Sequence, residues 1–276
     1  MAVQSDAFPR KPPVVLEIAR ATWRFRGVLG ATGLLELKQR YAGSVLGSSW
    51  IVLHPLLFLS IYIFVYLVIF KVRFPGVGEF GYVVFVFSGL VPYLVLMESI
   101  TRGAHVIREH LHLIKNVIMP IELVPLRLVL VSCMGQTASL GFLIFLTILD
   151  GDLSWRVIFL PVVIVFFVMF ILGIVYYVSG LGAVFNDLGH ILGLLMTGLM
   201  FLSPIAFKPD MVPSMLRAIV YVNPVSYPLE AFRWCLLADH DTDIVRLVAF
   251  PILATLVLTA GASFFKRFKG MLADNV

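Results

Sequence analysis

The chain has 276 residues, of which 60% are hydrophobic and only 13% are charged, and its mean hydropathy is +0.99. These values exclude a soluble globular domain and predict a polytopic membrane protein. The formal net charge of +5 comes mostly from Lys and Arg residues that flank the apolar segments, so it predicts contact with the lipid bilayer and gives no reason to expect nucleic-acid binding.

The first predicted element is an amphipathic helix before the first long apolar segment. Its apolar positions recur every three or four residues, at Leu34, Leu37, Tyr41 and Val45. The polar positions between them are Glu36, Lys38, Gln39 and Arg40. This pattern favours a helix that lies along the membrane surface, with a solvated helix of no function as the alternative. Glycines and serines over 43–49 then permit the chain to turn into the membrane.

Six apolar segments are candidates for helices that cross the bilayer, whose hydrocarbon core is about 30 Å thick. They cover residues 50–70, 80–97, 128–149, 157–185, 188–207 and 247–265. An even number of spans places both termini on one side. That side holds thirteen Lys and Arg residues against seven on the other, so both termini are predicted to be cytoplasmic.

This topology divides the chain into a cytoplasmic N-terminus (1–49), a transmembrane region (50–265) and a cytoplasmic tail (266–276). Arg127 falls near the start of the third span. It is expected to extend its charged end towards the membrane surface.

Aromatic side chains recur every four residues along the first span. The positions are Trp50, His54, Phe58, Tyr62, Tyr66 and Phe70. Aromatic faces offer apolar contact to sugar rings without tight directional bonding, so Phe58, Tyr62 and Tyr66 are candidates for the wall of a channel. Packing against lipid or the protein core is the alternative, and Trp50 and Phe70 also fit a role as interfacial anchors.

The loop between the second and third spans contains a second amphipathic helix, over about 104–118. Its apolar positions are Ala104, Ile107, Leu111, Ile114 and Ile118, and Arg108, Lys115 and Asn116 lie on its other faces. Such a helix rests on the membrane surface or fits a groove on a soluble partner, and the periodicity leaves both possibilities open.

The segment 208–246 is placed outside the cell membrane. Its prolines and charges argue against one continuous spanning helix and favour a re-entrant pair of short helices. Irregular backbone at membrane depth must pack within protein or line water. Pro224, Tyr227, Glu230 and Arg233 are therefore candidates for an external gate, with an ordinary packed cap as the alternative.

Motifs for catalysis and metal binding are absent from the sequence. No lysine precedes Ser or Thr, which excludes the usual phosphate-binding loop of ATPases. His110 and His112 lack acidic or cysteine neighbours at ligand spacing. The sequence therefore predicts no catalytic residue, no metal site and no cofactor in this chain.

Four blocks of the sequence resemble the transmembrane subunits of ABC-type exporters of cell-surface polysaccharides, which include O-antigen, capsule and teichoic acid. The blocks are ELKQRYAGSVLGSSW with the following HPLL, LIKNVIMPIELVPLR, FNDLGHILGLLMTGLMFLSPIAF, and VNPVSYPLEAFRW. They occur in the family's order over residues 30–265. The most specific pieces are R-Y-x-x-S-V-L-G-x-x-W at Arg40–Trp50 and L-I-K-x-V-x-x-P at Leu113–Pro120.

This resemblance implies a bacterial inner-membrane permease that moves a lipid-linked polysaccharide outward as a homodimer. It also implies two separate ATPase subunits, which bind ATP and Mg, and envelope-spanning export proteins as further partners. The loop helix becomes a cytoplasmic coupling helix, and its candidate contacts with the ATPase are Ile107, Arg108, Leu111, Ile114, Lys115 and Asn116. A permease for a small lipid or drug is one alternative, and a membrane-embedded glycan-modifying enzyme is another.

The predicted fold is therefore an all-α membrane protein with four parts. These are an N-terminal interfacial helix, six transmembrane helices, a cytoplasmic coupling helix, and external re-entrant helices before the last span.

Overall fold

The structure, a computed structural model, describes residues 14–69, 71, 78–109, 120–238, 240 and 242–273. In these ranges the chain is helical, and its strand-like pairing is limited to an isolated bridge between Leu153 and Leu237. The α-helices are α1 (Val14–Gln39), α2 (Trp50–Ile63), α3 (Glu79–Gly103), α4 (Val106–Glu109), α5 (Leu123–Gly135), α6 (Thr137–Asp150), α7 (Leu160–Val184), α8 (Leu188–Leu202), α9 (Ser214–Val222), α10 (Ser226–Leu236) and α11 (Ile244–Ala273).

Four helical stretches are long and apolar enough to cross a membrane. They are Glu79–Gly103, Leu123–Asp150, Trp155–Val184 and Ile244–Lys269. This result confirms the prediction of an all-α, multi-pass membrane protein. Each of these stretches contains or closely matches one predicted span, and the 28-residue stretch is interrupted at Gln136, between α5 and α6.

The first and fifth predicted spans correspond to shorter apolar helices, Gly47–Ile61 and Leu188–Leu202. Helical backbone continues beyond α2 as a π-helix over Phe64–Ile69. Helix α8 ends at Leu202 because Ser203 is extended, the conformation preferred by a residue that precedes proline. The predicted fifth span, 188–207, is therefore five residues longer than the helix at its end.

The N-terminal helix does not contain the whole apolar stripe that was predicted over residues 34–45. Helix α1 begins at Val14 and ends at Gln39, so Tyr41 lies beyond it. Gly43 has a φ of 84° and Gly47 a φ of 50°, which an α-helix cannot accommodate. The stripe is also not one buried face, because Leu37 is buried whereas Leu34 and Val45 are exposed. That prediction was wrong, although the predicted bend over 43–49 is correct.

Helices α7 and α11 form the closest helix pair. A Cβ atom added to Gly173 would overlap the backbone of Val257, and one added to Gly261 would overlap the carbonyl of Gly173. Tyr176 and Phe265 pack beside this contact with ring centroids 5.1 Å apart. Close backbone approach through small residues is the usual source of helix association in lipid, where burial of apolar surface gives no net gain.

Helix α3 is the most enclosed of the candidate spans. Inside the protein, 72% of its apolar window is buried, compared with 22% for Ile244–Lys269. It contacts α5, α6, α7, α8 and α10. The two charged groups of side chains described below lie near opposite ends of α3, so this central helix fixes both of them.

Candidate functional site

The first group is a five-residue charge cluster that joins α1, α3 and α5. Its members are Glu36, Arg40, Glu98, Arg102 and Arg127. The Glu36 carboxylate lies 3.0 Å from Arg127, 3.6 Å from Arg40 and 3.7 Å from Arg102. Glu98 accepts a hydrogen bond from Arg40 and lies 3.6 Å from Arg102. The two carboxylates therefore hold three guanidinium groups from separate parts of the chain.

Arg127 is the most enclosed member of the five-residue charge cluster. Its side chain is 8% exposed, whereas an arginine that extends to the membrane surface would be largely open to water. A buried charge is tolerated when a counter-charge is in contact with it, and Glu36 supplies that charge. The prediction that Arg127 reaches the surface is therefore wrong. The four-residue spacing of Glu36 and Arg40 is typical of a helical ion pair, whereas no sequence pattern relates Glu36 to Arg127.

A cavity of about 530 Å³ lies beside this cluster. Its walls come from the end of α1, from α2, from α3 and from the junction of α5 with α6. Polar and aromatic lining residues include Arg40, Tyr41, His54, Phe58, Arg102 and Gln136. Of the interfacial-helix candidates, Tyr41 thus reaches the cavity wall, whereas Lys38 is exposed.

The structure places one channel candidate, Phe58, in the wall of this cavity. Tyr62 belongs to α2 and Tyr66 to the following π-helix, but their side chains lie outside the described part of the structure. The aromatic band therefore remains a prediction beyond Phe58.

The second group, the α10 charge cluster, consists of Glu230, Arg233 and His240. Arg233 is completely buried and donates a hydrogen bond of 2.7 Å to the carbonyl of Ile205. Its guanidinium also lies 3.2 Å from Glu230 and 3.8 Å from the ring centroid of Phe85. The second carboxylate oxygen of Glu230 lies 2.7 Å from His240 Nε2. These contacts fasten α10 to α3 and to the segment after α8.

Two of the four gate candidates therefore lie together and two lie apart. Glu230 and Arg233 are buried partners, Tyr227 is half-buried, and Pro224 is exposed in the turn between α9 and α10. The structure forms two short helices, α9 and α10, within the segment 208–246. His240 is a member of the cluster that sequence reasoning missed, because it follows the last helix of the segment and belongs to no periodic pattern.

The electrostatics of the α10 charge cluster favour the ionised form of Glu230. Burial by itself would raise the pKa of this carboxyl group. The hydrogen bond with His240 and the positive charges of Arg233, His240 and Arg246 outweigh burial and lower the pKa to about 2. Glu230 is thus ionised at neutral pH and pairs with Arg233.

The loop that follows α3 is described as far as residue 109. Ile107 is 2% exposed and packs inside the chain, while Arg108 is half-buried. The candidates Leu111, Ile114, Lys115 and Asn116 lie outside the described residues. Among the residues that are described, no three His, Cys, Asp or Glu side chains gather as a metal site would require.

Comparison with known proteins assigns the chain to a family. Residues 32–237 match the family model described as ABC-2 type transporter. The chain belongs to the ABC-2 type transporter family. The family match includes the whole five-residue charge cluster, and it includes Glu230 and Arg233 but not His240.

Individual relatives of this ABC-2 chain are permeases and a transport protein. It is 25% identical to the O-antigen export system permease protein RfbA of Myxococcus xanthus, over 95% of this chain and 100% of that protein. It is 27% identical to a protein of the same name from Klebsiella pneumoniae, over 87% and 91% of the two chains. It is 22% identical to the polysialic acid transport protein KpsM of Escherichia coli, over 87% and 93%.

The contact between Glu36 and Arg127 should be needed for stability. Replacement of Glu36 by Gln removes the carboxylate that lies 3.0 Å from the buried Arg127, so we expect the free energy of unfolding to fall by about 3 kcal/mol, near the lower end for a broken buried ion pair. Thermal unfolding of the purified protein in detergent measures this loss. The double variant E36Q/R127M should recover much of it, because it removes both charges.

A matched control for this prediction is Glu17→Gln. Glu17 pairs with Lys266 at 2.7 Å, but their side chains are 34% and 49% exposed, so the expected loss is under about 1 kcal/mol. Equal unfolding temperatures for E36Q and E17Q would contradict the role assigned to the buried pair.

The α10 charge cluster should give the protein an acid-dependent stability. Glu230 has a pKa of about 2 in the folded protein, below its ordinary value of 4.5, so its contribution is complete above about pH 4.5 and is lost as the pH falls towards 2. Glu230→Gln should remove this dependence, as measured by thermal unfolding in detergent over that pH range. The exposed-residue control Asp210→Asn should keep it. If E230Q loses stability between about pH 4.5 and 2 as the wild type does, the role assigned to Glu230 is refuted.

Proposed function

We propose that this chain is the permease subunit of an ATP-driven exporter of a cell-surface polysaccharide. The observation that carries the proposal is the similarity over 95% of the chain to an O-antigen export permease, within a family of ABC-2 type transporters. Similarity to the polysialic acid transport protein points to the same class of cargo, a long carbohydrate polymer. The polymer is lipid-linked at its end.

The working complex contains two copies of this chain and two ATPase subunits that bind ATP and Mg. The lack of a phosphate-binding loop in the sequence supports a division of labour between permease and ATPase. The segment 104–118 is the docking loop for the ATPase. Because Ile107 packs inside the chain, the contact surface of this loop is expected to start at Arg108 and continue through Leu111, Ile114, Lys115 and Asn116.

The protein crosses the bacterial inner membrane six times, with both termini in the cytoplasm. Helical backbone over 50–69 is about 30 Å long at 1.5 Å per residue, which suits the first span. Helix α8 is about 22 Å long for its 15 residues, so the non-helical residues 203–207 that follow it complete the fifth span. Helices α9 and α10 are then the re-entrant pair on the outer side.

The polymer passes along α2, with the five-residue charge cluster at the cytoplasmic end and the α10 charge cluster at the external end. Phe58 supports this path because it lines a cavity that also contains His54, Arg40 and Arg102. The sugar chain would meet aromatic faces at Phe58, Tyr62 and Tyr66, which hold it weakly enough to slide. Pro224 and Tyr227, near the surface of the α9–α10 turn, form the mobile part of the external gate, and Glu230 with Arg233 forms its base.

Export of the polymer tests the proposed function. Cells that lack this chain should keep the polysaccharide inside, and the wild-type chain should return it to the cell surface. Tyr62→Ala and Tyr66→Ala should lower surface polysaccharide per assembled complex, because they remove ring contact with the moving chain. The control Phe64→Ala changes an exposed aromatic residue of the same helical stretch outside the four-residue repeat.

Immunodetection of the surface polymer, divided by the amount of permease that co-purifies with its ATPase, gives the required ratio. A wild-type chain that restores no polymer to the surface would refute polysaccharide export. A normal ratio in both tyrosine variants would instead place the channel wall on other helices.

The six-span topology predicts that α8 separates two aspartates. Asp187 precedes α8 and Asp210 follows it, and both are exposed. In a chain with Cys133 and Cys235 replaced by Ala, Asp210→Cys should react with an impermeant thiol reagent added to intact spheroplasts. Asp187→Cys should react only after lysis. Labelling of both positions from outside, or of neither, would exclude α8 as a membrane-crossing segment.

A further inference from the structure

The end of α3 and the start of the docking loop are seated against the helical hairpin formed by α7 and α8. Three consecutive residues, Gly103, Ala104 and His105, make this contact. A Cβ atom on Gly103 would lie 3.1 Å from Val175 of α7. Further along the hairpin, a Cβ atom on Gly182 would overlap the backbone carbonyl of Ala104, and one on Gly189 would overlap the His105 ring. The seat therefore extends from α7 across the turn into the first residues of α8.

The docking loop is held firmly at this point. The His105 amide donates to the Arg102 carbonyl at 3.1 Å, and the Glu109 amide donates to the His105 carbonyl at 3.0 Å. Val106 and Ile107 are each 2% exposed, and α4 packs on α5 and α7. A displacement of the loop beyond residue 109 would thus be transmitted to His105, because a hydrogen bond and a buried helix connect Glu109 to His105.

Helix α8, on the other side of the contact, has few buried residues, and it is held to α3 at Met196, about two turns beyond Gly189, where the Met196 carbonyl accepts a hydrogen bond from the Tyr93 hydroxyl. Met196 and Met200 are its buried residues, and Ile191 and Leu194 are 59% and 78% exposed. It packs mainly on α3, whereas its partner in the hairpin, α7, is fixed against α11 by backbone contact at Gly173. A force applied at the seat therefore moves α8 more easily than it moves α7.

We propose that His105 and Gly189 form the contact through which movement of the ATPase-docking loop reaches α8. This inference rests on the proposed function, since it assumes that the loop is moved by an ATPase. Gly189 lacks a side chain, so the His105 ring can press directly on the first turn of α8. His105 is a positioning residue in this role, because it acts on the transmembrane helix and not on the polymer. Gly182 holds the neighbouring backbone and sets the register of the contact.

The test compares two glycines of the same helix. Gly189→Ala displaces the His105 ring, the movable end of a side chain, whereas Gly193→Ala meets open space with no atom within 4 Å. In the complex with its ATPase, G189A and His105→Ala should lower the amount of polymer exported per ATP hydrolysed by roughly two- to thirty-fold, the range of measured coupling effects. ATP hydrolysis and complex assembly should stay near wild type. G193A should match the wild type in all three measurements.

A contact that only supports the fold predicts a different pattern, in which G189A and H105A reduce the amount of assembled complex and leave the ratio of export to hydrolysis unchanged. That result would overturn the inference, as would equal ratios in G189A and G193A. If G189A fails to assemble, the ratio measured for H105A decides in the same way.

Failure of the proposed function is recognised separately, because the wild-type complex would then export no polysaccharide. The contact is still tested in that case by the alkylation rate of Asp187→Cys, two residues before Gly189. ATP should change this rate in the wild-type background and in G193A but not in G189A or H105A. The contact would be rejected as a route of movement if ATP does not change the alkylation rate in the wild-type background. It would also be rejected if ATP changes that rate equally in G189A.

Discussion

The structure depends on the pairing of buried charged side chains inside an apolar helical bundle. Arg127 and Arg233 are both buried, and each would be strongly unfavourable alone in a medium of low polarity. Glu36, on a helix distant in sequence, pairs with Arg127. Arg233 pairs with Glu230 and donates a hydrogen bond to the Ile205 carbonyl. Because α3 contributes Glu98 and Arg102 to the first site and Phe85 to the second, the two sites join the N-terminal helix and the α9–α10 segment to one central helix.

The remaining packing divides the molecule into a firm part and a loose part. Helices α7 and α11 meet through glycines at backbone distance, a contact that neither helix can adjust without separation. Helices α2 and α8 present much of their apolar surface outward, and in the described residues they show no glycine contact at backbone distance. Exposed apolar faces on a membrane protein meet lipid or another subunit. Helices α2 and α8 can therefore change neighbours on these faces, while the glycine contact keeps α7 and α11 together. An exporter needs this division, since a rigid frame must support walls that move.

Local chemistry made several features predictable from sequence. Prolines and charges act on the residues beside them, so the division of 208–246 into short helices followed from the sequence, as did the bend at Gly43 and Gly47. Contacts between distant segments were not predictable in this way. Periodicity relates Glu36 to Arg40 because they are four residues apart in the sequence, but it gives no information about Arg127 on another helix.

Other parts of the candidate site were misjudged for a related reason. The apolar spacing up to Val45 is typical of a helix. Spacing alone, however, takes no account of Gly43, whose positive φ is incompatible with helical backbone. The sequence pattern places Ile107 on the apolar stripe of an amphipathic loop helix. In the structure, α4, which contains Ile107, packs on α5 and α7, and Ile107 is buried. A stripe shows that one face of a helix is apolar. It does not show whether that face meets a partner protein, lipid or the same chain.

The interruption of a spanning stretch at Gln136 has a consequence for hydration. Gln136 is the fourteenth of the 28 residues from Leu123 to Asp150, and it lines the cavity that also contains Arg40, His54 and Arg102. This cavity of about 530 Å³ has room for several water molecules, and its polar side chains can bind them. Water held there would contact Gln136, Arg40 and Arg102 at the break in the spanning stretch. A hydroxyl-rich solute in this cavity would therefore find hydrogen-bonding partners inside the protein, without contact with lipid.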